Sequence, residues 1–155
     1  MKKLLFDCGT REAATSLGLL VLRAGIGLML LVGHGVMKIG MFAQAKDTWP
    51  VPHIWPLSHL PPSVSMIATI AIEVGASALL ILGLLTRPAA FLLGFMMVVA
   101  AFQVHAGDPY FATKMGEMSK EPALLYLLPA VVLILTGGGL FSLDSQILKE
   151  KRRRW

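Results

Sequence analysis

Charge is scarce in this chain. Asp, Glu, Lys and Arg make up 15% of its 155 residues, where soluble domains carry about 25%. Residues 48–72, 88–107 and 122–143 carry none. Apolar residues reach 55% and mean hydropathy is +0.70, so the composition excludes an ordinary water-soluble fold and points to an integral membrane protein. Cysteine is nearly absent too. With Cys8 alone, there is no intramolecular disulfide, no Cys-x-x-Cys redox pair and no thiolate-rich metal centre. Leu5-Phe6-Asp7-Cys8 lacks the apolar run of a lipoprotein signal, and the first apolar stretch has no small-x-small exit for cleavage. No haem, flavin or iron–sulfur motif is present, so no covalent cofactor is expected.

What the chain does have is long apolar stretches. Spans are expected at about 16–37, 64–85, 88–105 and 122–136, the last short for a hydrocarbon core of ~30 Å. The expected fold is all-α: a polytopic membrane protein, an antiparallel four-transmembrane-helix bundle forming one membrane domain over 1–155. Thr86-Arg87 forces a tight hairpin between spans two and three, with Pro88 at the first helical position. Pro129 is expected to kink the fourth span, and Gly137-Gly138-Gly139 to end it.

The net charge of +5 is unevenly placed. Nine Lys/Arg fall with the N-terminus, the Thr86-Arg87 turn and the basic tail at 145–155, against Lys38, Lys46, Lys114 and Lys120 on the other side. The positive-inside rule then places both termini in the cytoplasm of a bacterial-type inner membrane, with loops 38–63 and 106–121 outside. The basic tail suits anionic lipid headgroups, and no nucleic-acid partner is expected. The 38–63 loop holds Trp49, Trp55 and five prolines. A connection of that length is usually a lid, a binding element or disordered, and with tryptophan at the span's edge it is expected to fold onto the outer mouth.

Two charges lie inside spans, where each costs at least about 2.5–3.5 kcal/mol. Arg23 and Glu73 fall at comparable depths, and each is the obvious partner for the other. They form either a buried ion pair fixing helix packing or part of a ligand or proton site. Arg23, Gly27, Leu30, His34 and Lys38 share one face of the first span. His105 ends the third span at the same outer level. Glu121 opens the fourth, where the helix dipole favours a carboxylate, and Tyr126 lies about one turn inside. The candidate ligand-binding residues are therefore Arg23, His34, Lys38, Glu73, His105, Glu121 and Tyr126; no catalytic residue is assigned. His53 and His59 read as interfacial polarity, and nothing has metal-ligand spacing.

Leu22-Arg23, Gly27, His34-Gly35 and Lys38 resemble the Arg…Gly…His-Gly…Lys pattern of the DoxX family. Ile72-Glu73-Val74-Gly75, Leu82-Gly83-Leu84-Leu85-Thr86-Arg87, His105, Glu121…Tyr126 and Leu143-Asp144 follow in the family's order. The resemblance spans roughly residues 16–145. It implies a small four-helix inner-membrane protein, some of whose relatives are subunits of a thiosulfate:quinone oxidoreductase while others associate with redox-defence enzymes.

The leading expectation is a membrane subunit of a redox system, holding a quinone or similar amphipathic molecule in the outer half of the bundle. Its electrons would come from a soluble or membrane redox partner or a diffusible donor, and homo-oligomerisation stays open. The alternatives are a non-catalytic scaffold anchoring a soluble partner, or a small transporter.

Overall fold

The computed structural model describes residues 12–153, with side chains to residue 148; Cys8, the first basic residues and the side chains of the basic tail lie outside the described part. Among the described residues the chain is helical, without strands. Helix α1 spans Ala13–Ala45, α2 Pro62–Leu82 and α3 Thr86–Val104; all three are long and apolar enough to cross a membrane. Helix α4, Glu121–Thr136, is apolar but shorter and stays helical through Pro129. Helix α5, Leu143–Arg153, follows.

α1 packs along α2, α2 along α3 and α3 along α4, with α1 also touching α4. Leu19, Leu30, Leu80, Ala90, Leu93, Ala130 and Leu133 fill the centre. At Gly27 an added Cβ would lie 2.9 Å from the Ser77 carbonyl oxygen, so α1 and α2 cross at close range, as small residues permit between membrane helices. The outward faces are apolar: Leu17, Val21, Leu28, Phe91, Phe95, Leu125, Leu128 and Leu135 are all exposed. A belt that size marks an interaction surface, and hydrocarbon is the solvent that suits it. The chain is a multi-pass membrane protein.

Three boundaries differ from expectation. α1 continues past Met37 to Ala45, so the first connection begins at residue 46. α2 ends at Leu82 rather than residue 85, and Gly83-Leu84-Leu85 makes the turn. Pro88 is then the third helical residue rather than the first, still in the turn whose N–H groups lack helical acceptors.

The expected Arg23–Glu73 pair does not form. Arg23 instead reaches the end of the molecule that carries the Gly83–Leu85 turn, the hairpin end. There its guanidinium donates to the carbonyls of Leu80, Ile81 and Phe141, each at 2.7 Å. Helical side chains lean toward the N-terminus of their own helix. Arg23 therefore leans toward the hairpin end, where the last carbonyls of α2 lack their regular helical donors and Leu80 accepts from the Gly83 N–H at 3.1 Å instead. Glu73, on a helix running the other way, leans toward the opposite end and meets Lys38.

Asp144 completes the hairpin end. Its carboxylate accepts from the N–H groups of Leu85 at 2.7 Å and Thr86 at 2.9 Å, capping α3 from 58 residues downstream. Leu85 has a φ of 49°, a conformation uncommon for a branched residue, and this bond holds it. Gly83, with φ of 69°, has no room for a side chain: a Cβ would lie 2.7 Å from the Arg23 guanidinium. Ser16, Thr86, Ser142 and Ser145 are buried around the same knot.

Candidate functional site

A cavity of about 490 Å³ opens at the other end, within the range of small-molecule sites. Leu30, Met96, Met97, Val99, Ala100, Val104 and Ala123 supply an apolar wall; His34, Lys38, Ser65, Thr69, Glu73, His105 and Tyr126 supply polar groups. Each helix brings its residues here for a local reason. α1 and α3 both widen into a π turn at this end, over Leu31–Gly35 and Ala100–Val104. In the second, the N–H of His105 donates to the Ala100 carbonyl at 2.9 Å. Such turns are rare and recur at functional sites; here they carry His34 and lead directly into His105.

Lys38 and Glu73 form an ion pair across α1 and α2, with side chains 14% and 5% exposed. Lys38 Nζ also lies 5.7 Å from the centroid of the Trp49 ring, a cation–π distance. Trp49, Pro50 and Pro52 wall the cavity, and Ser65 Oγ donates to the Pro50 carbonyl at 3.0 Å. The connection after α1 is thus strapped to α2 at one point and to Lys38 at another. His34 meets Tyr126 edge-on, the ring centroids 5.8 Å apart and the planes at 89°.

The second connection closes another side. Glu117, Met118 and Ser119 line the cavity, while His105 Nδ1 and the Asp108 carboxylate lie 2.6 Å apart. Lys120, largely buried, donates to the Ala106 carbonyl at 3.0 Å and sits 4.8 Å over the Tyr110 ring. The Glu117 carboxylate accepts from the Thr113 N–H at 2.6 Å, the Thr113 hydroxyl at 3.0 Å and the Lys114 N–H at 3.1 Å. These bonds, the Thr113 backbone bond foremost, hold its pKa below the ordinary glutamate value.

Of the seven candidate residues, the structure brings His34, Lys38, Glu73, His105 and Tyr126 around one cavity. It leaves out Arg23, which serves the hairpin end, and Glu121, which sits in the first turn of α4 with its neighbours Pro122 and Ala123 in the wall. His53 and His59 are exposed and lie outside the wall of this cavity. Sequence reasoning missed Trp49, Thr69 and Glu117 in the wall. Trp49 was legible as part of the Pro/Trp loop, whereas nothing in the local sequence of 31–35 or 100–104 signals a π turn.

A family model, that of DoxX, matches residues 18–106, the stretch that holds Arg23, His34, Glu73 and His105. The chain belongs to the DoxX family. The matched part covers most of α1 and all of α2 and α3 and ends just past His105, so Tyr126, Glu121 and Asp144 lie beyond it. Two proteins of Haemophilus influenzae, each named only as an uncharacterized protein, are similar. One is 30% identical over 146 residues, covering 92% of this chain and 91% of its own length. The other is 40% identical over 82 residues, covering 51% of this chain and 59% of its own. No solved structure matches. The residues singled out in the sequence thus divide between two places: Arg23 at the hairpin end, and His34, Lys38, Glu73 and His105 at the cavity.

Proposed function

We propose that this DoxX protein is a membrane subunit of a redox system that binds a quinone or similar amphipathic small molecule in the cavity. The observation that carries the reading is a cavity of about 490 Å³ between apolar helices whose polar groups gather around one buried ion pair, Lys38–Glu73. A flat ring with two oxygens and an apolar tail fits such a wall. Its body meets Leu30, Met96, Met97 and Ala123, and its oxygens accept from His34 or Tyr126. Electrons come from a partner protein or diffusible donor.

In this reading α4 completes an antiparallel four-span bundle. Its 16 residues rise only about 24 Å, and the glycines after it continue the crossing. The hairpin end faces the cytoplasm, as the distribution of Lys and Arg indicates. In a Cys8→Ser background, Lys46→Cys in the first connection is expected to react with a membrane-impermeant thiol reagent in intact cells; reaction only after lysis reverses the orientation.

Chromatography of an organic extract from the purified protein tests the ligand. Near-stoichiometric isoprenoid quinone is expected from wild type. Ala100→Phe, which fills the wall, is expected to lose about tenfold or more of it, in proportion to the contacts blocked. Wild-type protein that carries no quinone and binds none when it is added back would sink the reading.

A further inference from the structure

Glu73 presents two unequal oxygens. Oε1 is held by Lys38. Oε2 is buried and, among the described residues, has no hydrogen-bond partner, although the residue lines the cavity. A buried acceptor without a donor carries its full desolvation cost, and more so when it is charged. Three nearby donors are engaged, and the His34 and Tyr126 side chains in the same wall meet each other edge-on without a hydrogen bond to Oε2. Lys38 is on Oε1 and over Trp49, Ser65 is on the Pro50 carbonyl, and Thr69 is on the Ser65 carbonyl. The vacant role is therefore that of a hydrogen-bond donor supplied by the ligand.

Charge narrows the class of donor. Lys38 already balances Glu73, so a cationic ligand brings repulsion from the ammonium with no uncompensated anion to meet. The aromatic face of Trp49 that would welcome a cation is occupied by that same ammonium. An anion would confront Oε2 directly. A neutral molecule with an O–H group on an apolar body satisfies the acceptor without disturbing the pair.

Resting on the reading of the cavity as a quinone-class site, we infer that the site is selective for the reduced, dihydroxy form of the ring. One ring hydroxyl donates to Glu73 Oε2. The oxidised dione has only acceptor oxygens and would set one against the carboxylate. The selectivity is one of binding, and no proton or electron leaves the ligand in this step.

The test is isothermal titration of the purified, detergent-solubilised protein under argon with three probes sharing one ring and tail: a decyl hydroquinone, its benzoquinone and its dimethyl ether. The hydroquinone is expected to bind about tenfold tighter than either of the others, as one hydrogen bond to a charged acceptor supplies. Glu73→Gln is expected to shrink that preference to within about twofold, since a neutral amide accepts more weakly. That change strands the Lys38 ammonium, so a second variant, Lys38→Met with Glu73→Leu, removes both charges and the acceptor together; such replacement of a buried pair is commonly neutral for folding. It too is expected to lose the preference. Equal wild-type affinity for hydroquinone and quinone, or a preference that survives in the double variant, overturns this inference and leaves the quinone-class cavity standing. Failure of all three probes to bind wild type overturns both.

Discussion

At the hairpin end, Arg23 and Asp144 are 1% and 2% exposed, and each directs its charge onto backbone: three carbonyls for the arginine, two N–H groups for the aspartate. At the cavity end, Lys38 and Glu73 direct theirs onto each other, beside open space, and one carboxylate oxygen keeps no partner. Both regions bury a cation and an anion among apolar helices. The first arrangement sets its charges against the frame of the protein, and its unpaired Arg23 Nε lies packed away from the cavity; the second leaves its unpaired oxygen on a residue that lines the cavity. Burial of a charge thus does not by itself mark a binding site. What marks it is unmet capacity next to a cavity.

The comparison is broken most sharply at Arg23. Arg23→Met removes one donor from each of three carbonyls and leaves Asp144 without its nearby cation, so a loss of about 3–5 kcal/mol is expected. It is read as a fall in thermal unfolding temperature in detergent, with unchanged ligand affinity in the protein that remains folded. A stable variant that no longer binds ligand would instead place Arg23 in the site.

Two glycines sharpen the same contrast at a smaller scale. A Cβ on Gly138 would lie 2.6 Å from Thr86 Oγ1 and 2.7 Å from Ser142 Cβ, whereas one on Gly107 meets nothing within 4 Å. Gly138→Ala is expected to cost about 1–3 kcal/mol through overpacking, and Gly107→Ala less than about 0.5 kcal/mol. Similar unfolding temperatures for the two variants would mean the hairpin end is not the more tightly filled region.

The smallest effect concerns acid. Glu117 titrates below the ordinary glutamate range because the Thr113 and Lys114 N–H groups favour its charged form. With a depressed folded pKa, its contribution to the loop is present above the unfolded pKa and disappears as pH falls through the lowered folded value. A carboxyl-carbon NMR titration is expected to place its midpoint below that of a free glutamate side chain. A midpoint at or above that value would show that the Thr113–Glu117 turn does not persist in solution.

Much of this was legible in the sequence. Charge-free stretches located the helices, and the spacing of Leu30, His34 and Lys38 put them on the face that now lines the cavity. Depth alone misassigned the ion pair. α1 runs on past Met37, so Gly35 packs against Glu73 and Val74 while Gly27 packs against Ser77 and Ile81; Arg23 therefore lies toward the hairpin end and Lys38 is the cation that reaches Glu73. The π turns and the walls contributed by Trp49 and Glu117 depend on how the connections fold back, which helical periodicity does not encode. Asp144 stood out only as part of the family pattern, because a cap supplied from a distant segment has no local signature.

That distant cap has a consequence for the order of assembly. Leu85 and Thr86 obtain their acceptor from a residue 59 and 58 positions later, and Arg23 obtains its third carbonyl 118 positions later. During synthesis, α1, α2 and α3 are made long before these contacts exist, and closing such long loops is slow compared with local helix formation. The nascent hairpin therefore waits with two backbone donors and a guanidinium incompletely matched, and the arrival of the segment from Phe141 to Asp144 is the event that locks it. A chain arrested before residue 141 should accordingly remain open to protease at Gly83–Leu85, and release of the full length should close that site.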